Sequence, residues 1–402
     1  MKPARGRHNS PIFGRGECVP VDRAMSAEAR DPQSPRKKLN DELVKMARAF
    51  AESGPSVNEV SRICSSFKET VRYRYHKFYS DRGIKIQAMP SYARLGLKRL
   101  ILIARLAPSC ESNARSIFNA LSELCYLHSF TRVALRGTYV IHVAVPAEFQ
   151  EACSAVYQDL KGAGLFTELE VLAFDEMTNP PMKPEHYDFV RGRWTFDWGR
   201  VGASDSRLPL NVRPRVEKYD RTDLLVIKEL EIDAGQSLVR MADTLKVNLS
   251  GLEFHYRDHV KGRGLVKGYR LVWQGTLREE EPERTGQREP YLELTLLLRG
   301  GTREEVAELM RLLNALPFLW SEAYGSAYCA ELFLPMQMYG SLLQYLDAFA
   351  NKVGRKLEVY TMDQANALRF VISYRLFDGE SRRWRLDPGA VLAALGQLAP
   401  PA

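Results

Sequence analysis

The feature that most constrains this fold is that the chain repeats itself. Ser56-Val57, with Val71, Tyr73, Tyr75, Arg82 and Gly83 downstream, returns as Ser237-Leu238 with Leu252, Phe254, Tyr256, Arg263 and Gly264, every pair 181 residues apart and without a gap. Further on, residues 124–129 return as 316–321, Leu169-Glu170-Val171 as Leu357-Glu358-Val359, and Arg193-Trp194 with Asp197 as Arg383-Trp384 with Asp387. A period this long exceeds the roughly 20–50 residues of a solenoid unit. It implies a duplicated pair of domains.

At 402 residues the chain has room for several hydrophobic cores. No apolar run approaches the roughly 18 residues that cross a bilayer. The basic start has no apolar stretch behind it, so no secretory signal is expected and the cytoplasm is the expected compartment. The six cysteines, Cys18, Cys64, Cys110, Cys125, Cys153 and Cys329, are scattered, which argues against a disulfide framework or a structural zinc. The net charge of +8 favours a polyanionic partner.

Reading along the chain predicts an α+β fold. Residues 1–38 form a basic, disordered tail, with nine Lys/Arg against four Asp/Glu. Residues 39–94 hold three short helices and a β-wing, the layout of a winged helix-turn-helix, with capping boxes at Ser56-x-x-Glu59 and Ser66-x-x-Glu69. Residues 95–178 alternate as βαββαβ, a ferredoxin-like sandwich of the RAM/ACT kind. Residues 179–218 form a linker containing an Arg-Trp hairpin that covers a sheet edge. The plan then repeats: a second winged unit at 219–274, a linker at 275–290, a second ferredoxin-like unit at 291–387 and a C-terminal tail at 388–402.

These residues resemble the Lrp/AsnC family of prokaryotic transcription regulators. Asp220-x-x-Asp223-Leu224-Leu225 is similar to its opening helix, and Gly264-Leu-Val-Lys-Gly-Tyr269 to its wing. Arg136-Gly-Thr-Tyr139 and Gly325-Ser-Ala-Tyr328 resemble the hairpin between its middle effector strands. Two departures stand out: the family's aspartate after Gly-x-Tyr is Val140 in one copy and Cys329 in the other, and the helix-turn-helix spacing is about one residue longer. The resemblance implies a sequence-specific regulator that binds double-stranded DNA, is not an enzyme, and leaves open an amino-acid-like effector. With both halves on one chain, an intramolecular pseudo-dimer is expected, with room for a homodimer or higher assembly.

On the third helix, Phe67, Val71, Tyr75 and Phe78 share one stripe, within about 80° at 100° per residue. Opposite them lie Glu69, Arg72, Tyr73 and His76, flanked by Lys68 and Lys77. Arginine reads guanine bidentately, and lysine mostly serves phosphate. Arg74, on the core side, orients the helix or touches phosphate, and Arg82 follows at the turn. The second head offers Arg257 and Lys261, offset by Glu253 and Asp258, with Arg263 and Lys267 on turn and wing. His255 and His259 are four apart, but no third metal ligand lies near them in sequence, so no metal or cofactor is expected. Trp194, Trp198, Trp320 and Trp384 read as packing residues. A rival reading is catalytic: siroheme decarboxylases share this plan and need histidines and basic groups lining a tetrapyrrole cleft, for which His128 and His142 are available. A ligand-sensing scaffold without DNA contact is a third.

Overall fold

The protein is described here by a computed structural model covering residues 35–202, 215–272 and 290–398. Nearly all of the tail expected at 1–38 and the linker expected at 275–290 lie outside the described residues. The architecture is mixed α/β.

The first head holds α1 (Pro35–Ser53), α2 (Val57–Cys64), α3 (Lys68–Phe78) and β1 (Lys85–Pro90). Ser56 caps α2, accepting from the Glu59 amide at 3.4 Å. The capping box expected at Ser66 does not form: α3 starts at Lys68 behind an exposed Phe67 with no side-chain cap. The reason is that Ser65 turns left-handed to close α2, and the Ser66 amide is spent on Ser61 O at 2.9 Å.

In the first half of the chain there follow β2 (Leu97–Leu106), α4 (Ala114–Leu124), β3 (Leu127–Val133), β4 (Thr138–Pro146), α5 (Gln150–Gly162) and β5 (Phe166–Thr178). The Arg-Trp element is a short hairpin, β6 (Tyr187–Asp188) and β7 (Arg193–Trp194), which forms its own two-stranded sheet instead of extending the large one. The second head comprises α6 (Arg221–Asp233), α7 (Leu238–Leu245), α8 (Leu249–Phe254), which runs on as a π-helix over His255–Lys261, and β8 (Val266–Val272). Then come β9 (Tyr291–Arg299), α9 (Arg303–Ala315), β10 (Leu319–Gly325), β11 (Ala327–Pro335), α10 (Tyr339–Val353), β12 (Leu357–Arg369) and the hairpin β13 (Phe377–Asp378) and β14 (Arg383–Trp384). The expected C-terminal tail begins with α11 (Pro388–Gly396), capped by Asp387, with Val391 and Leu395 buried where it packs on α4 and α5.

Two long-range pairings shape everything else. First, the wings do not stand free on their own heads: β1 pairs with β8, antiparallel, from Lys85↔Val272 to Met89↔Gly268. Tyr269 lies against Gly54, where a Cβ would come within 2.6 Å of its ring, so only glycine fits there. Second, the two βαββαβ sheets do not remain separate open layers. They close into one barrel of order β10-β11-β9-β12-β3-β4-β2-β5. The seams are β12–β3 and β10–β5, and at the latter a Cβ on Gly325 would lie 2.7 Å from the Phe174 Cα.

Inside the barrel, alternation along each strand sorts the residues. Ile101, Val140, Leu297 and Cys329 form an apolar cluster with Phe174, Tyr360 and Met362. Two residues away on the same faces stand Arg99, His142, Thr295 and Glu331, all buried. The apolar end holds the barrel shut; the polar end is the candidate site.

Candidate active site

An arginine or histidine two places from a core residue is forced to the same side of the sheet. That geometry carries Arg99 on β2 and His142 on β4 into the barrel mouth, where β11 delivers Glu331. The His142 Nε2 lies 3.0 Å from Glu331 Oε1, and the Ser321 hydroxyl donates to the same carboxylate. Burial opposes charge on Glu331, yet His142, Arg369 and Ser321 together hold its carboxyl well below the usual range.

Around this pair stand groups with unused bonding capacity. Arg99 lies 4.7 Å over the Tyr92 ring, with Nε and Nη2 at 3.2 and 3.1 Å from the Met177 sulfur, a weak acceptor. Its Nη1 has no partner among the described residues. His128 holds the Tyr92 hydroxyl at 3.2 Å through Nε2, and its buried Nδ1 is likewise without a partner. Burial, then Arg99, Arg369 and His142, push the His128 imidazole well below its ordinary pKa. Arg270 stacks 4.2 Å over Trp320 and donates to the Trp320 and Pro180 carbonyls. Burial and the neighbouring Arg369 lower even this guanidinium to about 9.

These groups line a cavity of about 1310 Å³ between the barrel mouth, the paired wings and α6. A second space of about 330 Å³ opens beside it and shares His142, Arg270, Trp320 and Arg369. Acidic groups also line the larger space: Asp81, Asp233 and Glu229, the last paired with Lys228 at 2.5 Å. Glu331 is engaged with His142, while burial pushes Glu231 and Glu293 up to about 7, so neither is a full anion at neutral pH. Three arginines face a large space: Arg99 and Arg270 are buried, Arg369 is exposed, and Arg99 keeps a donor without a partner among the described residues. A buried donor left unpaired is costly; an anionic ligand group would remove that cost.

The residues expected to read DNA lie elsewhere. Lys68, Glu69, Arg72, Tyr73, His76 and Lys77 share an exposed face of α3, with Arg72 3.6 Å from Glu69 and Lys77 bonded to Tyr73 at 2.8 Å. Arg74 pairs with Glu42 at 2.5 Å, Arg82 donates to Val190 O at 2.6 Å, and Arg257 pairs with Asp258 at 2.9 Å. Lys261 reaches Ser53 O at 3.3 Å, Arg263 binds Lys218 O, and Lys267 reaches Met177 O at 3.2 Å. His128 and His142, named for the rival reading, are brought together in the cleft. Arg99, Arg270, Arg369, Glu331 and Trp320 escaped the sequence reading, and Trp320 is a cleft wall under two arginines instead of packing alone. The available signal was a charge inside an apolar strand run, as in Val-Ile-His142-Val and Cys-Ala-Glu331-Leu.

No third ligand stands near His255 and His259 in sequence, but two carboxylates do in space. Folding brings Asp220 and Asp223, more than 30 residues upstream of the histidines in sequence, to His255 and His259.

No family model and no curated protein matches the sequence. Among solved structures, the chain is similar to the siroheme decarboxylase NirDL in co-complex with an iron-uroporphyrin III analogue. The identity is 10%, the likeness covers 88% of this chain and 99% of that one, and the TM-score is 0.50. The leucine response regulatory protein LrpA of Mycobacterium tuberculosis is 18% identical but covers only 34% of this chain and 92% of its own, with a TM-score of 0.25. The end-to-end likeness is thus to an enzyme, and it overturns the expectation of a non-catalytic, DNA-binding regulator. At this identity it shows a shared fold, that of a siroheme decarboxylase, itself related to the Lrp/AsnC plan.

Proposed function

We propose that the chain is a tetrapyrrole decarboxylase: two winged-helix heads alternate with two ferredoxin-like sandwiches, paired as an intramolecular pseudo-dimer around one reactive cleft. The observation that carries this reading is the convergence of Arg99, Arg270 and Arg369 with His128 and His142 in a 1310 Å³ cavity, where Arg99 Nη1 and His128 Nδ1 have no partner among the described residues. A uroporphyrin-type macrocycle has the matching chemistry, being flat, apolar on its faces and ringed by carboxylates.

The arginines hold rim carboxylates through charge-assisted hydrogen bonds. Trp320, already stacked beneath Arg270, offers an apolar wall to the macrocycle. In the chemical step, the bond between an acetate methylene and its carboxyl carbon breaks and CO2 leaves. The electron pair is delocalised into the conjugated ring, and the methylene carbon then takes a proton from His142 to become a methyl. Glu331, 3.0 Å away, orients the imidazole before the step. His128, whose Nδ1 has no partner among the described residues, is available to hold a rim carboxylate. No external oxidant is required.

The test is anaerobic titration of the protein with siroheme, followed by mass spectrometry of the extracted pigment. The expected result is a shifted Soret band and products lighter by one or more CO2. A protein that leaves the absorption spectrum unchanged is not of this kind, and one that binds siroheme but never releases CO2 is a sensor, not an enzyme.

A further inference from the structure

The second head contains a cluster that the cleft chemistry does not use. His255 Nδ1 lies 2.7 Å from Asp223 Oδ1 and 3.8 Å from Asp220 Oδ1. His259 Nδ1 lies 3.0 and 3.2 Å from the two Asp223 oxygens. One ligand atom from each of the four residues falls within 4.8 Å of all the others. We propose that Asp220, Asp223, His255 and His259 form a binding site for a divalent transition metal, with zinc as the best fit.

Local structure builds this arrangement. Asp220 and Asp223 are the N-cap and third residue of α6, locked by a reciprocal capping box: Asp220 Oδ1 accepts from the Asp223 amide at 3.1 Å, and Asp223 Oδ2 from the Asp220 amide at 3.0 Å. Those bonds fix the direction of both carboxylates while leaving lone pairs available, as outer hydrogen bonds do at metal centres. The histidines sit on a π-helical segment, whose wide turn points side chains four apart the same way. Departures of this kind from α-helix concentrate at functional sites.

The duplication supplies an independent argument. At the offset of 181, His255 corresponds to Arg74, Asp223 to Glu42, His259 to Phe78 and Asp220 to Leu39. In the first head, Arg74 and Glu42 form an ion pair at 2.5 Å, so a permanent cation sits against the carboxylate. The second head has lost that guanidinium. His255 stands in its place, with a second imidazole, His259, where the first head has Phe78 and a second carboxylate, Asp220, where it has Leu39. A metal ion restores the missing cation. Two imidazoles and two carboxylates suit zinc or a neighbouring first-row ion, whereas magnesium or calcium would want oxygen alone and copper(I) would want sulfur. A space of about 390 Å³ borders Asp220, Asp223 and His259, with Arg215, Lys218, Arg263 and Arg382 on its other walls.

The experiment is equilibrium dialysis of untagged full-length protein, free of tetrapyrrole, against zinc, with bound metal counted by mass spectrometry. Cobalt(II) is added in parallel for its visible d–d absorption. One zinc per chain and a tetrahedral cobalt spectrum are expected. His259→Ala should weaken binding at least tenfold, and Arg74→Ala should leave it unchanged. Asp220→Asn is the second variant if His259→Ala does not fold, as judged by circular dichroism. Failure to retain zinc at micromolar concentration, or equal retention by folded His259→Ala or Asp220→Asn, overturns the proposal. Because no pigment is present, the result is independent of the decarboxylase reading.

Discussion

The two halves of the barrel are built alike but carry different groups at matched positions, and the second half also delivers Arg369 from β12. In the first half His142 pairs in register with Ser129 and with Ile101; in the second Glu331 pairs in register with Ser321 and with Thr295. The same matching sets Arg99 against Glu293 and His128 against Trp320. One half therefore contributes Arg99, His128 and His142, and the other Glu293, Trp320 and Glu331. Two identical subunits could not do this. Across a symmetric seam, histidine would face histidine or glutamate would face glutamate, and burying like charges together is unfavourable. Joining the halves on one chain let them diverge, so that the central pair became an imidazole 3.0 Å from a carboxylate.

That contrast can be broken by exchanging roles between the halves. The largest effect is expected from His142→Ala, which removes the proton donor and should slow CO2 release by about 10²–10⁴-fold with little change in siroheme affinity. If rate survives and only binding falls, His142 is a carboxylate ligand. Next, Arg99→Ala should weaken siroheme binding by about 10–100-fold, through loss of a buried charged hydrogen bond. The matched Glu293→Ala should not weaken it, and a titration in which Glu293 matters more would reverse the assignment of halves. Glu331→Gln keeps the shape but not the charge, and should cost roughly tenfold in rate; a rate equal to the parent's would show that His142 works alone.

A smaller effect concerns pH. Glu231 and Glu293 have folded-state pKa values of about 7, raised by burial above the ordinary carboxyl value. The folded protein thus holds protons that the unfolded chain has already released. The stability this lends is complete below the ordinary carboxyl pKa and is lost as pH rises through 7. Over the same window the two groups become anions beside the arginines. Siroheme affinity should fall by roughly three- to tenfold from pH 6 to 8, and Glu231→Gln should flatten the fall. A steeper decline in Glu231→Gln would contradict this sign. The smallest expected effect is none: Arg72→Ala and Lys77→Ala, on the exposed face of α3, should leave pigment binding and CO2 release as they were.

Much of the fold was legible because it is written in local signals. Ser56 caps the helix it precedes, and the βαββαβ order expected of each half is present along the chain. The face of α3 opposite Val71 and Phe78 is exposed, but Phe67, expected on the buried stripe, is 82% exposed and precedes the helix; exposure of a basic face does not define a partner. Reading it as a DNA interface gave weight to charges on the surface and ignored those inside strands, where a lone arginine or histidine is costly and so more informative.

The sequence by itself determined the duplication, most of the helices and the alternation of each strand, because these rest on neighbours within a few residues along the chain. Only the tertiary structure decided that the wings pair with each other, that two sheets close into one barrel, and that His142 meets Glu331 while Asp223 meets His255 and His259. The physical reason is distance along the chain. Backbone hydrogen bonds between β5 and β10, or β3 and β12, are available to any exposed strand edge. Which edges join is settled by how the whole set of faces buries its apolar residues, with glycine at Gly325 and Gly54 where the backbones and rings come closest.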